Sequence, residues 1–225
     1  MSARRDIFAR LKAILDPVQG AGMRSAQADR RMLDGASDLV PLRGRAEGPA
    51  RTVLFVSEAE SAQADVRRLA RFDEVPDVVR NIVVKAGGGT LKASPHKTLQ
   101  AMNWDGIDVA FGRGQGSDYV GLSVAYAGVA ETGTLVMASG PSSPTTLNFL
   151  PDVHVVVISE DDIAANYEDV WVRLRRGTNQ DDAKLPRTVN WITGPSRTAD
   201  IEQTLLLGAH GPRKLVILLI DGKNS

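Results

Sequence analysis

The chain has 225 residues, 43 % of them hydrophobic and 24 % charged, with 27 basic residues balanced by 27 acidic ones. That length buries one large core, or one core and an arm, and leaves little room for two full domains. The zero formal net charge excludes a global field that would gather nucleic acid or an anionic membrane, and the absence of cysteine excludes disulfides, thiolate zinc sites, cysteine nucleophiles and cysteine-held iron–sulfur clusters.

Residues 2–15 predict a helix: Ile7, Leu11, Ile14 and Leu15 follow helical spacing, and Asp16-Pro17 ends it. Its scattered Arg4, Arg5, Arg10 and Lys12 leave no apolar stretch of the signal-peptide kind. No apolar run approaches the roughly 20 residues needed to span a bilayer, so the expected location is the cytoplasm. Residues 18–50 show weak periodicity and read as an extended arm. The first 51 residues hold ten Arg or Lys against six Asp or Glu, which suits either a solvated surface or an acidic partner. The expected organisation is an arm over 1–50 and an α/β domain over 51–225.

From Arg51 the rhythm changes. A short apolar run, 52–56, leads into a charged helix expected over 58–72, and a second helix is expected over 76–84. Strands are expected over 107–111, 120–130 and 134–138, the last two flanking a turn at Glu131, Thr132 and Gly133. Residues 153–158 and 215–220 are almost wholly apolar, the pattern of strands buried on both faces. Between them, Ser159 with Asp162 fits a capping box for a helix running to Arg176, with Gly177 as its C-cap. A strand over 189–193 and a helix over 199–207, closed by Gly208, complete the reading. Strands alternating with helices predict an α/β fold: a mostly parallel mixed sheet with helices on both faces.

Common chemical signatures are absent. Gly112, Gly114 and Gly116 are followed by Ser117, so the dinucleotide fingerprint fails, and no Walker spacing or Gly-x-Ser-x-Gly elbow occurs. The three histidines lie far apart in sequence with no metal-ligand spacing, so no metal site is expected. Aromatic residues make up 5 % of the chain, too few for a nucleic-acid stacking platform.

Four segments could carry chemistry. In the first, Glu131 stands beside Thr132, Gly133 and Thr134, either as an ordinary hairpin turn or as a desolvated carboxylate able to act as base or nucleophile. The second, Gly194, Pro195 and Ser196 with Thr198, Asp200 and Glu202, leaves a strand and enters the expected helix, with Thr198 as N-cap. Ligands gather at such places, although Asp200 and Glu202 would compete with a phosphate and equally serve the helix dipole. The third places His210 before Gly211 and Pro212 in a loop, as an acid/base group or a loop fastener. The fourth holds His154 inside an apolar run, where a core histidine is the simpler reading.

Taken in order, Ala130-Glu131-Thr132-Gly133-Thr134, Leu150-Pro151-Asp152-Val153-His154, Gly194-Pro195-Ser196, Asp200-Ile201-Glu202 and Gly208-Ala209-His210-Gly211-Pro212 resemble the LUD-domain family, in particular its lactate-utilisation C group. The resemblance covers about residues 51–221. It implies a fold like the ribose-5-phosphate isomerase, glucosamine-6-phosphate deaminase and CoA-transferase superfamily. It also implies a part in oxidising L-lactate to pyruvate with two partner proteins, a larger one carrying the iron–sulfur clusters. Without cysteine, this chain would then bind, assemble or regulate, with no redox cofactor of its own. The alternative is a stand-alone CoA-transferase-like or sugar-phosphate enzyme using Glu131. On either reading Glu131 and His210 are the catalytic candidates. Thr132, Gly133, Thr134, Gly194, Pro195, Ser196, Thr198, Asp200, Glu202 and Gly211 would bind a small anionic ligand.

Overall fold

A computed structural model describes the chain at residues 7, 8, 10, 40–176, 185–198, 206, 207 and 210–222. The chain divides into two units, Met1–Val40 and Pro41–Ser225. In the first, Ile7, Phe8 and Arg10 are helical, as the N-terminal periodicity predicts. The rest of that expected helix, most of the arm, and Gly177 with the loop after it lie outside the described residues.

The second unit is built on a six-stranded sheet and a four-stranded sheet. The larger contains β1 (Asp65–Leu69), β2 (Leu91–Ala93), β3 (Val109–Phe111), β4 (Val120–Val124), β7 (Val153–Ser159) and β12 (Lys214–Ile220). Its order is β1-β12-β7-β4-β2-β3, and every pairing is parallel. The smaller contains β5 (Ala127–Val129), β6 (Thr134–Ala138), β8 (Ile163–Ala164) and β9 (Val189–Ile192), in the order β8-β5-β6-β9. Only its β5–β8 pair is parallel.

The apolar runs take the central places because they alone can be covered on both faces. One face of β7 and β12 presents Val155, Val157, Val216, Leu218 and Ile220 to α2 (Val75–Lys85) and α3 (Lys97–Gln100). In α2 the buried Val75, Val79, Ile82 and Val83 fall on one helical stripe, and Pro76 occupies the first turn, where its missing N–H costs nothing. The opposite face presents Val156, Ile158, Ile217 and Leu219 to Phe55 and Ala59 of α1 (Gly48–Ser61) and to Leu135, Met137 and Ile163 of the smaller sheet. The far side of that sheet is closed by α4 (Tyr167–Arg176) through Val170 and Leu174. Helices thus cover both faces of the parallel sheet, as expected, but one face is shared with a second sheet.

Three expectations need correction. The helix expected over 58–72 ends at Ser61, and 65–69 is edge strand β1. Its Asp65, Arg67 and Arg68 are the charges that keep an exposed edge from pairing with another chain, and a charged strand mimics a helix surface in sequence. The helix expected from Ser159 begins only at Tyr167. Ser159 does cap, accepting from the Asp161 amide, but it caps a short 3-10 turn that leads into β8. The cap of α4 is Asn166, whose Oδ1 accepts from the Asp169 amide while its Nδ2 donates to the Gly44 carbonyl. Asn166→Ala removes both bonds at a buried position, and a loss of about 1–2 kcal/mol is expected in a denaturant titration. Third, the single strand expected over 120–130 is two strands in different sheets. The Ala125 amide donates to Val157 in the larger sheet, and the next amide, Tyr126, donates to Val136 in the smaller.

Candidate functional site

The carboxyl end of β9 and the amino ends of β7 and β12 leave a cleft of about 270 Å³ between the two sheets. Into it come Thr193 to Arg197 from the chain after β9, His210 to Pro212 from the chain before β12, and Asn148 and Phe149 from the chain before β7. Two of the segments picked out in sequence therefore meet. The Ser196 amide donates to the Pro212 carbonyl at 2.9 Å, fixing one to the other. Pro195, Ser196, His210 and Gly211 all line the opening. Of the helix expected over 199–207, residues 199–205 lie outside the described residues, and its last two, Leu206–Leu207, form instead a short strand paired antiparallel with Arg197–Thr198. Thr198 sits in a two-residue strand, and Leu206 and Leu207 take a strand partner. A run of leucines has no periodicity that separates the two cases. Asp200, Glu202, Gly208 and Ala209 lie outside the described residues.

The cleft combines charge, hydrogen-bonding groups and an apolar wall. Among the described residues no aspartate or glutamate lines it. Arg197 and His210 are exposed at its mouth, Ser196 and Thr193 add hydroxyls, and Phe149, Trp191, Ile192 and Leu215 form the apolar side. Trp191 is held by aromatic packing against Tyr167 and Trp171, with ring centroids 5.0 and 5.4 Å away. His154 is completely buried, as its place in an apolar strand predicts, yet it also borders the cleft. Its Nε2 lies 3.1 Å from Ser123 Oγ, and its Nδ1 has no partner among the described residues. Burial lowers its pKa to about 4, so the ring is neutral at physiological pH, and Arg197 is the one permanent cation among the described lining residues.

Glu131 does not line this cleft. It lies on a 3-10 turn, Ala130–Thr132, and is 6 % exposed, with Oε2 lacking a hydrogen-bond partner among the described residues. Burial pushes its carboxyl above the ordinary range, the Glu168 carboxylate pushes it the same way, and the Arg43 guanidinium opposes both. Its neighbours connect the two regions. The hydroxyls of Thr132, Thr134 and Tyr167 are mutually within 3.1 Å, and Thr134 Oγ1 reaches Thr193 Oγ1 at 2.7 Å. A chain of hydroxyls thus runs from beside Glu131 to the rim of the cleft.

The glycines of the two motifs serve the fold. Gly133 (φ +62°) would place a Cβ 2.1 Å from the Ala59 nitrogen, and Gly194 (φ +72°) would place one 2.0 Å from the Ala62 oxygen. Both meet the last turn of α1, so the close approach these small residues permit is made by the chain's own backbone. Asn148, Phe149, Trp191, Thr193 and Arg197 were not singled out by sequence reasoning. Arg197 is the one whose local signal was available: a cation directly after the Gly-Pro-Ser string. Asn148, on the 3-10 turn before β7, is brought to β9 by the fold, its Nδ2 donating to Asn190 Oδ1 beside Trp191 in sequence.

The LUD domain family model matches residues 52–220. The chain is 41 % identical over 100 residues to an uncharacterised protein of Neisseria meningitidis serogroup B, covering 44 % of this chain and 41 % of that one. It is 26 % identical over 173 residues to a protein named Lactate utilization protein C from a Geobacillus species, covering 67 % of this chain and 70 % of that one. A second protein of that name, from Shouchella clausii, is 31 % identical over 104 residues, covering 46 % of this chain and 44 % of the other. The match therefore spans less than half the length of the Neisseria and Shouchella relatives. Among solved structures, a DUF162 family protein from Deinococcus radiodurans superposes with a TM-score of 0.53 at 18 % identity, over 76 % of this chain and 96 % of that one. This likeness concerns the fold alone. Among the described residues no helix is long and apolar enough to cross a membrane.

Proposed function

The chain belongs to the LUD domain family, and on that premise we propose that it is a component of an L-lactate-utilising system, binding a small hydroxy or keto acid in the cleft of Arg197, Ser196 and His210. The observation that carries the lactate assignment is that a relative matched over 67 % of the chain bears the name Lactate utilization protein C. The chemistry of the cleft fits. A lactate-sized ligand needs a cation for its carboxylate, a donor or acceptor for its C2 oxygen and an apolar wall for its methyl group. Arg197 supplies the first, His210 with the Ser196 and Thr193 hydroxyls the second, and Trp191 with Leu215 the third.

Oxidation of lactate to pyruvate releases two electrons and two protons. A cysteine-ligated cluster has no ligands in these 225 residues, and among the described residues no three His, Asp or Glu side chains group as a metal site. The residues do not fit an iron–sulfur cluster, so on this reading the electrons leave through a partner, in a system of this chain and two further proteins. This chain's part is to bind and orient the acid.

Deleting the gene is expected to abolish growth on L-lactate and leave growth on pyruvate intact; normal growth of the deletion strain on lactate would overturn the assignment. In the purified chain, Arg197→Ala is expected to weaken lactate or pyruvate binding roughly 10–100-fold, the worth of one charge-assisted hydrogen bond. Isothermal titration measures it, and equal affinities in the two proteins would remove the cleft from the proposal.

A further inference from the structure

A second cavity, of about 350 Å³, opens at the carboxyl ends of β2 and β3. Open parallel sheets bind ligands at that edge, where strands end and loops diverge. Three features set this cavity apart from the cleft already described. Among the described residues its walls hold no aromatic or long aliphatic side chain, only Pro95, Pro141 and Pro144 among apolar residues. No aspartate or glutamate among the described residues lines it, whereas Arg113 does. Arg113 is exposed and enters no ion pair among the described residues.

Facing Arg113 is the turn that follows β6. Gly140 and Ser143 exchange backbone hydrogen bonds, closing a tight loop, and a 3-10 turn, Thr145–Asn148, follows directly. This brings the hydroxyls of Ser143, Thr145 and Thr146 to the cavity wall. Ser139 is occupied, its Oγ accepting from the Thr188 amide at 2.9 Å. Thr146 Oγ1 is the telling atom: it is shielded from solvent and has no hydrogen-bond partner among the described residues. A buried hydroxyl left unsatisfied costs stability unless something else satisfies it. The turn is held from behind by Leu147, fully buried against Gly114 and Gly121, so these hydroxyls are presented on a fixed wall.

From this donor set we infer that the Arg113 cavity is a second binding site, for a phosphate-type oxyanion. A planar carboxylate offers two oxygens, which one guanidinium can satisfy alone. Three hydroxyls in addition to a guanidinium match a tetrahedral group with three or four acceptor oxygens. The absence of acidic lining residues removes the repulsion that such an anion would meet. The site stands apart from the Arg197 cleft, although the two share a wall: Thr145 and Thr146 face one, Asn148 and Phe149 the other.

The test uses the full chain, isotope-labelled, titrated at constant ionic strength with inorganic phosphate and, separately, with methyl phosphate. Saturable amide shifts are expected at Gly112, Arg113, Ser143, Thr145 and Thr146. Tighter binding of methyl phosphate assigns the site to phosphate monoesters, and tighter binding of inorganic phosphate assigns it to the free ion. Arg113→Ala is expected to weaken binding at least tenfold and Thr146→Val several-fold, while Arg197→Ala leaves it unchanged. The last variant separates this proposal from the lactate cleft, since it strikes that cleft alone. Shifts absent from 112–113 and 143–146, or an Arg113→Ala protein that binds phosphate as the native chain does, would overturn the inference.

Discussion

Gly133→Ala is expected to lower stability by roughly 3–4 kcal/mol, enough to leave a domain of ordinary stability marginally folded. Two costs add. A residue with a side chain at φ +62° pays for left-handed backbone, about 1–2 kcal/mol. The new methyl group would then stand 2.1 Å from the Ala59 nitrogen and 2.5 Å from the Glu58 carbonyl carbon. Both are backbone atoms of a helix packed on the core, so no rotamer change relieves the clash, and α1 must move away from the sheet. Gly194→Ala carries the same two costs against the Ala62 carbonyl. The pair is expected to be less than additive, because one displacement of the end of α1 relieves both clashes. Gly140→Ala is the control: its Cβ would meet nothing within 4 Å and its φ is unstrained, so its midpoint in urea should be close to native. An unchanged midpoint for Gly133→Ala would show that the α1 contact is not what holds the turn beside Glu131.

His154 is expected to make stability fall by about 2–3 kcal/mol between pH 7.5 and pH 4.5. Its folded pKa is about 4, against an unperturbed 6.5. Between those values the unfolded chain binds more proton than the folded one, so stability rises with pH across that window and is lost on acidification. The cause is burial: a charged imidazole beside Ser123 and Val156 would have no water, and among described atoms its Nδ1 has no acceptor to receive a second proton. Glu131 acts in the opposite sense, because a carboxyl raised by burial contributes stability at low pH that is lost as pH rises through its folded pKa. Asp65, lowered chiefly by its hydrogen bond from Arg67, acts in the same sense as His154, at lower pH. Comparing urea unfolding of the native chain and His154→Gln at both pH values isolates the histidine. The variant's pH dependence should be flatter by the stated amount, and parallel profiles for the two proteins would refute the assignment.

The sequence was most legible where burial is two-sided. The runs 153–158 and 215–220 could only be central strands, and they are neighbours in the middle of the parallel sheet. It was least legible where one residue type serves two geometries. Arg67 and Arg68 suit an edge strand as well as a helix surface, so 65–69 was absorbed into the helix before it. Ile163 lies on the same helical stripe as Tyr167 and Val170, but its backbone pairs with Gly128, thirty-five positions earlier, and only topology reveals such a partner. The same contrast holds in the site. The Gly194–Ser196 and His210–Pro212 strings were legible as segments, and the Ser196–Pro212 hydrogen bond joins them. Asn148 and Trp191 carry no local signal, since the 3-10 turn before β7 and strand β9 meet only in the folded chain. The Arg113 cavity is not legible in sequence, because Gly112 beside Arg113 reads there only as part of a failed dinucleotide motif, and Ser143 to Thr146 join it only in the fold.

The passage between β4 and β5 has a consequence for how the molecule opens. Consecutive amides, Ala125 and Tyr126, are bonded into different sheets, with no slack between them to let one sheet separate while the other stays whole. Fraying from either side must break the same dipeptide link, which lies in the shared apolar layer. The protection of amides in β4, β5, β6 and β7 against solvent exchange should therefore collapse at one denaturant concentration, as a single opening event. By this measure the two sheets are one foldon, joined by a seam one peptide bond wide.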